Sequence, residues 1–260
     1  MSTPLITVAM PVFNAGEYLK PALLSIINQT YSNWELIIID DGSTDGCFDN
    51  LPELNDSRIK VIRDGENKGI AIRLNQAIDL ASGEFFARMD SDDISLPERF
   101  KMQVEMLEAD LTLDLVATRT LIINSKSKIV GKLPSALTHQ QICAKPWRGF
   151  YMPHPTWLGR IEWFKKHRYA SPAPYLCEDQ ELLLRAYKVS QFKCLAQVLL
   201  HYRVKGKINF VKSVNTRWAV LKCQLKVFKY DGLVFNFLAI IVFILRVLKD
   251  IFVKLTESKR

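Results

Sequence analysis

Cysteine is scarce in this chain and follows no metal-binding pattern. The five cysteines among 260 residues are widely separated, with neither a CxxC pair nor a Cys/His cluster at metal-ligand spacing. This argues against a zinc site and a disulfide framework, and it is typical of a reduced compartment. The first residues also lack the charged segment of a secretory signal. We therefore expect a cytoplasmic protein whose cysteines are small apolar fillers.

Internal repeats, low-complexity segments and a glycine-rich phosphate loop are also missing. The chain has 11 glycines, and none forms a basic glycine-rich loop near the first predicted strand. A nucleotidyltransferase would need such a loop to hold its triphosphate. Apolar residues make up 48% of the chain, which is ordinary for a globular protein. A chain of this length forms one large domain or two small ones.

Acidic residues are few in the C-terminal segment. Residues 205–260 contain 12 Lys and Arg but only three acidic residues, although the formal net charge of the whole chain is +8. Residues 1–204 are therefore almost neutral. An anionic partner would meet the C-terminal segment rather than the rest of the molecule.

The sequence predicts an α/β fold with a mainly parallel sheet flanked by helices. Almost continuous apolar runs are typical of strands buried on both faces, and apolar residues at steps of three and four are typical of helices. In the first ninety residues the predicted order is β-α-β-β-α-β, with strands at 5–12, 35–39, 58–63 and 84–89 and helices at 16–29 and 69–81. This order is found in nucleotide-binding folds.

The rest of the chain is predicted to extend this sheet and to build a pocket. We expect helices at 97–109 and 178–187 and strands at 115–123 and 193–203. The segment 131–174 is rich in Pro, Trp and His and has weak periodicity. We interpret it as loops and short elements around a pocket.

Three carboxylates crowd together behind the fourth strand, at Asp90, Asp92 and Asp93. Like charges so close repel, so their pKa values rise unless a cation or strong donors hold them ionised. Mg²⁺ and Mn²⁺ prefer such oxygens and commonly share them with substrate phosphates. An EF-hand is excluded, because Ile94 and Ser95 stand where its spacing needs other residues. Taken alone, the cluster is also compatible with an ordinary acidic surface loop.

Polar or acidic segments follow the first, second and fourth strands, at residues 11–14, 40–43 and 90–93. Ligands of open α/β sheets lie beyond the carboxyl ends of the strands. We therefore expect these segments to converge on one crevice.

Three segments together resemble the inverting family 2 glycosyltransferases, which have the GT-A, Rossmann-like fold. They read ITVAMPVFNAGEYLKPALLSIINQTYSNWELIIIDDGSTD (6–45), ENKGIAIRLNQAIDLASGEFFARMDSDDISLPERFKMQ (66–103) and EDQELLLR (178–185). They stand in the family's order and spacing over about the first two hundred residues, and their conjunction is highly specific. We therefore place a GT-A catalytic domain at 1–205 and a helical tail at 206–260.

The resemblance implies a nucleotide-sugar donor whose base is most often uracil. Pro11, Phe13 and Asp41 are implied to hold the base and ribose, with Asp41 accepting a hydrogen bond from the base. Arg73 is a candidate cation near the diphosphate, as are Lys68 and Arg88, although a solvated or salt-bridged fate is commoner for each.

The same resemblance implies that the acidic loop holds Mn²⁺ or Mg²⁺ on the donor diphosphate. Of its carboxylates we favour Asp92 and Asp93 as metal ligands, and we assign Asp90, with Ser91, to the nucleotide. The family often has a histidine where this chain has Lys205, so any role of that histidine is in doubt here.

Asp179, in the motif Glu178-Asp179, matches the residue that serves the family as catalytic base. Displacement at the anomeric carbon needs an acceptor hydroxyl that gives its proton to a base such as a carboxylate. Attack opposite the leaving group gives inversion, as in inverting glycosidases. The alternative for Glu178 is an acidic residue placed to favour the helix dipole.

The remaining candidates are two histidines and one tryptophan. His154 and Trp157 are candidates for the border of the acceptor pocket, although a loop histidine is more often simply exposed. His201 lies in a strand pattern and is interpreted as structural.

The tail combines a basic amphipathic helix, predicted at 209–230, with an apolar run at 233–245. Asp231 and Gly232 are expected to separate the two. Basic amphipathic helices lie on anionic membranes. The apolar run would reach about 20 Å as a helix, short of the roughly 30 Å hydrocarbon core. We favour interfacial or half-inserted anchoring over a true span or packing onto the catalytic domain, and lipid over nucleic acid.

Together these features predict a metal-dependent inverting glycosyltransferase, peripheral on the cytoplasmic face of the inner membrane. It would move a sugar from a UDP-sugar or related donor to a saccharide acceptor, lipid-linked, for a surface polysaccharide or lipopolysaccharide. The alternative is a catalytically silent sugar-nucleotide-binding or scaffold protein at the membrane.

Overall fold

A computed structural model describes residues 3–206, 209–230 and 233–257 of the chain. The first ninety residues have the predicted order of elements. They form strands β1 (Ile6–Val12), β2 (Trp34–Asp40), β3 (Ile59–Arg63) and β4 (Phe85–Arg88) and helices α1 (Leu19–Ile27) and α2 (Ile70–Leu80). Helix α1 begins later than predicted because residues 16–18 form a separate 3₁₀ turn.

Residues 94–203 also follow the prediction, with added short elements. Its helices are α3 (Arg99–Ala109), α4 (His139–Cys143), α5 (Ile161–Lys166) and α6 (Glu178–Ala186), and its strands are β5 (Ile94–Ser95), β6 (Leu115–Ile123), β7 (Ile129–Lys132), β8 (Leu158–Arg160) and β9 (Phe192–Arg203). Short helices, 3₁₀ turns and strand β8 occupy the segment that the sequence predicts as loops.

The strands form one sheet in the order β3-β2-β1-β4-β8-β6-β9-β5, with β7 paired to β6. Strands β1 to β4 are mutually parallel, and β9 runs parallel to β6. Because β8 is antiparallel to both β4 and β6, strands β4, β6 and β9 point the same way. The carboxyl ends of β1, β2, β4 and β9 therefore lie on the same edge of the sheet.

The core has two layers, one on each face of the sheet. Alternate residues of β2 divide between them: Leu36 and Ile38 pack with α1 and α3, whereas Ile37 and Ile39 pack with α2. This division follows from the two-residue period of a strand. It also explains why β2 reads as a continuous apolar run, because both of its faces are covered.

The tail packs onto the α/β part of the chain as a helical hairpin of α7 (Phe210–Val227) and α8 (Leu233–Glu257). Leu221 and Phe228 are buried, and Phe228 joins the core layer on the α2 side of the sheet. The Gln224 amide donates to the Pro146 carbonyl at 3.0 Å. The predicted helix break at 231–232 lies outside the described residues. One face of the hairpin therefore packs onto the rest of the molecule, which is the alternative that the sequence favoured less. Its other face is exposed.

That second face of the hairpin is apolar and belongs mostly to α8. The exposed side chains on it are Leu233, Val234, Phe237, Ile240, Ile244, Leu245, Leu248, Ile251, Phe252 and Leu255. We call this set the α8 apolar face. None of the helices within residues 3–206, 209–230 and 233–257 is long and apolar enough to cross a membrane.

The burial of Phe228 makes the attachment of the tail testable. Phe228→Ala removes a ring with no exposed surface, so we expect the free energy of unfolding to fall by about 3 to 5 kcal/mol. The control is Phe237→Ala on the same hairpin, which is 63% exposed and should change that energy by less than about 0.5 kcal/mol. Urea unfolding followed by circular dichroism measures both. Equal, small effects would show that the tail does not contribute to the core.

Candidate active site

The loops after β1 and β2 are tied together at the carboxyl edge of the sheet. The Asn14 backbone N–H donates to the Ser43 hydroxyl at 3.0 Å, and the Thr44 N–H donates to the Asn14 side chain at 2.9 Å. Pro11 lies half-buried in β1. Phe13 is the first residue after this strand, and it is 53% exposed. An exposed ring on a fixed loop can stack against a planar ligand such as a nucleobase.

Asp41 caps helix α2 from a distance. Its carboxylate accepts from the backbone N–H groups of Lys68, at 2.7 Å, and Gly69, at 3.0 Å. Gly69 precedes the helix and has no side chain with which to cap it. A carboxylate at this position satisfies free N–H groups and meets the positive end of the helix dipole. Asp41 is therefore part of the local fold as well as a candidate nucleotide contact.

Arg73 is fully buried between two carboxylates. Its Nε donates to Asp41 at 2.8 Å, and its terminal nitrogens donate to both oxygens of Asp64 at 2.8 and 2.7 Å. Hydrogen bonds from Arg73 hold the pKa of Asp64 well below its usual range. Lys68 likewise pairs with Asp64. The geometry therefore favours Arg73 and Lys68 as residues that position Asp41 and the loop before α2, rather than as cations on a diphosphate.

The acidic turn after β4 buries Asp93 and leaves Asp90 partly exposed, each in contact with an arginine residue. Asp90 pairs with Arg88 at 2.6 Å, and the Asp93 carboxylate accepts the backbone N–H of Arg203 at 2.8 Å. Burial raises the pKa of Asp90 even though Arg88 opposes it, and burial raises the pKa of Asp93 well above its usual value. Strong positive charge is needed to keep such groups ionised.

Asp92 lies on the outer side of this turn, next to the half-buried Ser91. Its carboxylate is 2.9 Å from the ammonium of Lys205, and its backbone carbonyl accepts from Arg203 Nε at 2.7 Å. Arg203 also donates to the Asn124 carbonyl at 2.9 Å. The end of β9 therefore fixes the shape of the acidic turn.

The turn has the donor atoms that a hard divalent cation needs. Asp93 Oδ2 is buried and accepts no hydrogen bond within the described residues. Among those residues, no three His, Cys, Asp or Glu side chains are placed to hold an ion by themselves. Mg²⁺ is commonly held by one or two carboxylates together with substrate phosphates. A free oxygen on Asp93 without a complete protein ligand set is compatible with that mode of binding. Asp92 and Asp93 would hold such an ion.

Glu178 and Asp179 begin helix α6 and differ in exposure. Glu178 is buried, and burial followed by the charge of Asp179 raises its pKa. Asp179 is partly exposed and accepts from the Gln180 amide at 3.1 Å. It lines a cavity of about 260 Å³ together with Phe150, Tyr151, Met152, His154, Gln180 and Tyr202, among others. Asp179 is thus the carboxylate of this motif that a molecule in the cavity can reach.

Arg88 links this cavity to the acidic turn. Its guanidinium is buried, and the charges of Asp90 and Glu178 raise its pKa against the effect of burial. The two acidic motifs, about ninety residues apart in the chain, therefore share one buried cation. This link supports the predicted convergence of the loops on one crevice.

The exposed position expected for His154 is wrong. Its ring is buried, lies 2.8 Å from the Tyr169 hydroxyl through Nε2, and packs edge-on against Trp157. Burial, followed by the charge of Arg88, lowers the pKa of His154 well below its usual value, so the ring is neutral. Trp157 has no exposed surface and donates to the Met152 carbonyl, so it supports the cavity wall from behind.

Several site residues were missed from the sequence. Arg203 stands at the carboxyl end of β9. The loops at 11–14, 40–43 and 90–93 were predicted from the same position after a strand, so Arg203 could have been predicted in this way. Tyr202 and Gln180, in the cavity wall, gave no comparable signal. His201 lies in β9, where it pairs with Ile94, in line with the structural interpretation.

The family model "Glycosyl transferase family 2" matches residues 7–168, more than half of the chain. The chain belongs to glycosyl transferase family 2. This confirms the predicted family.

Curated relatives of this family 2 glycosyltransferase carry glycosyltransferase names. An uncharacterised glycosyltransferase of Haemophilus influenzae is 34% identical over 78% of this chain and 66% of that protein. UDP-Glc:alpha-D-GlcNAc-diphosphoundecaprenol beta-1,3-glucosyltransferase WfgD of Escherichia coli is 36% identical over 55% of this chain and 56% of that protein. O-antigen biosynthesis glycosyltransferase WbnJ of Escherichia coli is 30% identical over 90% and 93%. The matched part thus spans about half to two thirds of the first two relatives.

Solved structures share the fold of this family 2 glycosyltransferase. TarS of S. aureus, in complex with UDP, has a TM-score of 0.65 and 19% identity over 85% of this chain and 65% of that one. Mannosyltransferase PcManGT from Pyrobaculum calidifontis, in complex with GDP-Man and Mn²⁺, has a TM-score of 0.65 and 17% identity over 88% and 65%. The predicted GT-A fold is confirmed.

The buried charges around Asp41 make a further prediction about stability. Arg73→Met leaves Asp41 and Asp64 without their buried partner, so the free energy of unfolding should fall by about 3 to 5 kcal/mol. The control is Arg168→Met, which breaks an exposed pair with Asp79 and should cost about 1 kcal/mol or less. Urea unfolding compares the two variants. Similar small losses of unfolding free energy in the two variants would show that Arg73 does not stabilise the loops that contain Asp41 and Asp64.

Proposed function

We propose that the chain is a metal-dependent, inverting glycosyltransferase that uses a nucleoside-diphosphate sugar, preferably a UDP-sugar. The observation that carries this proposal is the joint placement of two acidic motifs. The turn of Asp90, Asp92 and Asp93 is linked through buried Arg88 to Glu178, and the next residue, Asp179, faces a cavity. One motif suits the donor diphosphate and the other suits an acceptor.

In this proposal the donor lies along the carboxyl edge of the sheet. Phe13 stacks on the base beside Pro11, and the loop fixed by Asp41 and Arg73 surrounds the base and ribose. Asp90 and Ser91 contact the nucleotide where the turn begins. Asp92 and Asp93 hold Mn²⁺ or Mg²⁺, which when bound supplies positive charge for the departing diphosphate.

Asp179 acts as the base in a direct displacement. An acceptor hydroxyl in the cavity gives its proton to the Asp179 carboxylate while its oxygen bonds to the anomeric carbon. The bond from that carbon to the diphosphate oxygen breaks, and the electron pair leaves with the nucleoside diphosphate. Attack opposite the leaving group inverts the configuration. The Gln180 hydrogen bond fixes one oxygen of Asp179 and leaves the other for the proton.

The proposed acceptor is a lipid-linked saccharide of a surface polysaccharide or lipopolysaccharide. WfgD carries a diphosphoundecaprenol acceptor in its name, and WbnJ carries O-antigen biosynthesis. The cavity beside Asp179 has aromatic side chains, Phe150 and Tyr151, on its wall. Such rings can pack against the apolar faces of sugars.

The proposed location is the cytoplasmic face of the inner membrane, with the tail 206–260 as a peripheral anchor. The α8 apolar face is far larger than the scattered apolar side chains of an ordinary surface. Helix α7 of the same hairpin carries exposed lysines, including Lys222 and Lys226, which suit anionic lipids better than nucleic acid. The division into catalytic domain and tail stays a prediction.

Asp179→Asn tests the assignment of the base. We expect the turnover number to fall by about 10² to 10⁴, because proton removal is lost, while donor affinity stays within about twofold. Glu181→Gln, on the same helix but paired with Arg185, is the control and should keep its turnover. Donor binding by calorimetry and product formation from UDP-, GDP- and TDP-sugars measure the two quantities.

The outcomes of this test separate the two candidate functions. A wild-type chain that binds a nucleotide-sugar but transfers no sugar to any saccharide acceptor would support the silent binding protein. Equal turnover in wild type and Asp179→Asn would contradict Asp179 as base.

Vesicle binding tests the anchor. Leu245→Ser with Leu248→Ser removes two exposed side chains from the α8 apolar face, so affinity for anionic phospholipid vesicles should fall more than about tenfold. The control pair is Leu111→Ser with Ile129→Ser, which are exposed to a similar extent elsewhere on the molecule. Co-sedimentation measures both. No vesicle binding by the wild type, or an equal fall in both variants, would contradict the anchor.

A further inference from the structure

Lys205 places a positive charge between two loops of the donor site. It follows β9, and its ammonium lies 2.9 Å from the Asp92 carboxylate and 4.6 Å from the centre of the Tyr18 ring. Tyr18 ends the 3₁₀ turn behind the β1 loop, and Asp92 lies in the turn after β4. Strands β1 and β4 are neighbours in the sheet, so this ammonium bridges the two loops.

The ammonium is accessible to a ligand, unlike the arginines nearby. The Lys205 side chain is 39% exposed, whereas Arg88 and Arg203 are buried. Arg203 also lies over the Tyr18 ring, at 4.6 Å. Tyr18 thus provides a fixed wall along which the flexible lysine stem can move.

We propose that Lys205 is an internal cation of the donor site that exchanges Asp92 for the donor diphosphate. This rests on the proposed function. Before the donor binds, the ammonium neutralises Asp92 and competes with a divalent ion for that carboxylate. When the diphosphate reaches the turn, the ammonium moves to its oxygens and leaves Asp92 to the ion. Lys205 and the ion then share the charge of the leaving group.

The physical basis is a competition between cations for one carboxylate. An exposed ion pair is weak, so Asp92 gives up Lys205 at little cost. A diphosphate carries more negative charge than one carboxylate, and charge-assisted hydrogen bonds to phosphate are stronger than neutral ones. The ammonium therefore has a better partner once the donor is present. Removal of the ammonium should therefore raise the affinity for the ion and lower the affinity for the nucleotide.

The test uses the full chain with Mn²⁺ alone and with nucleotide alone. In Lys205→Ala we expect the affinity for Mn²⁺, measured by electron paramagnetic resonance without nucleotide, to rise about fivefold. In the presence of a chelator, the affinity for UDP, or for GDP or TDP where the wild type prefers it, should fall about tenfold. Lys205→Arg keeps the charge and should keep most of the nucleotide affinity.

The control is Lys60→Ala, which removes the same charge from the exposed side of edge strand β3 and should change neither affinity. Unchanged or weaker Mn²⁺ binding in Lys205→Ala would overturn the proposal, as would unchanged nucleotide binding. A wild-type chain that binds none of the three nucleotides would instead contradict the proposed function, and this proposal with it. Opposite changes in the two affinities, absent from the control, would support it.

Discussion

The loops at the carboxyl edge of the sheet depend on the pairing of carboxylates with buried arginines. Asp90 is matched by Arg88, and Asp41 by Arg73, whose guanidinium has no exposed surface. Buried charges are tolerated only when they are paired and hydrogen-bonded. The Asp41–Arg73 pair joins two segments far apart in the chain. The Asp90–Arg88 pair joins the end of β4 to the turn that follows it. The loops at the carboxyl edge are therefore held by charge as much as by apolar packing.

This arrangement joins the two acidic motifs. The charges of Asp90 and Glu178 both act on Arg88, so the acidic turn and the start of helix α6 belong to one electrostatic unit. The end of β9 closes the unit, because Arg203 holds the backbone of the turn and Lys205 meets its outer carboxylate. The apolar tail hairpin packs on the same body through Phe228 and leaves its own apolar face outward.

Much of this could be predicted from the sequence, since local patterns carry the order of elements. Strand β2 reads as buried on both faces because it is, and Asp90 to Asp93 stand out by their spacing. The partners of those carboxylates could not be predicted in the same way. Arg203 contacts Asp93 across 110 positions, and no local pattern encodes that distance. The burial of His154 and the packing of Phe228 likewise follow from tertiary contacts.

The central claim is that the acidic turn holds the donor diphosphate through a divalent ion. Its most direct test is the affinity for nucleotide-sugars with Mn²⁺ and after chelation, in the wild type and in a chain with Asp92→Ala and Asp93→Ala. We predict that chelation weakens binding by the wild type and has little effect on the double variant, whose affinity is already low. Equal binding by both chains, with and without the ion, would contradict the claim.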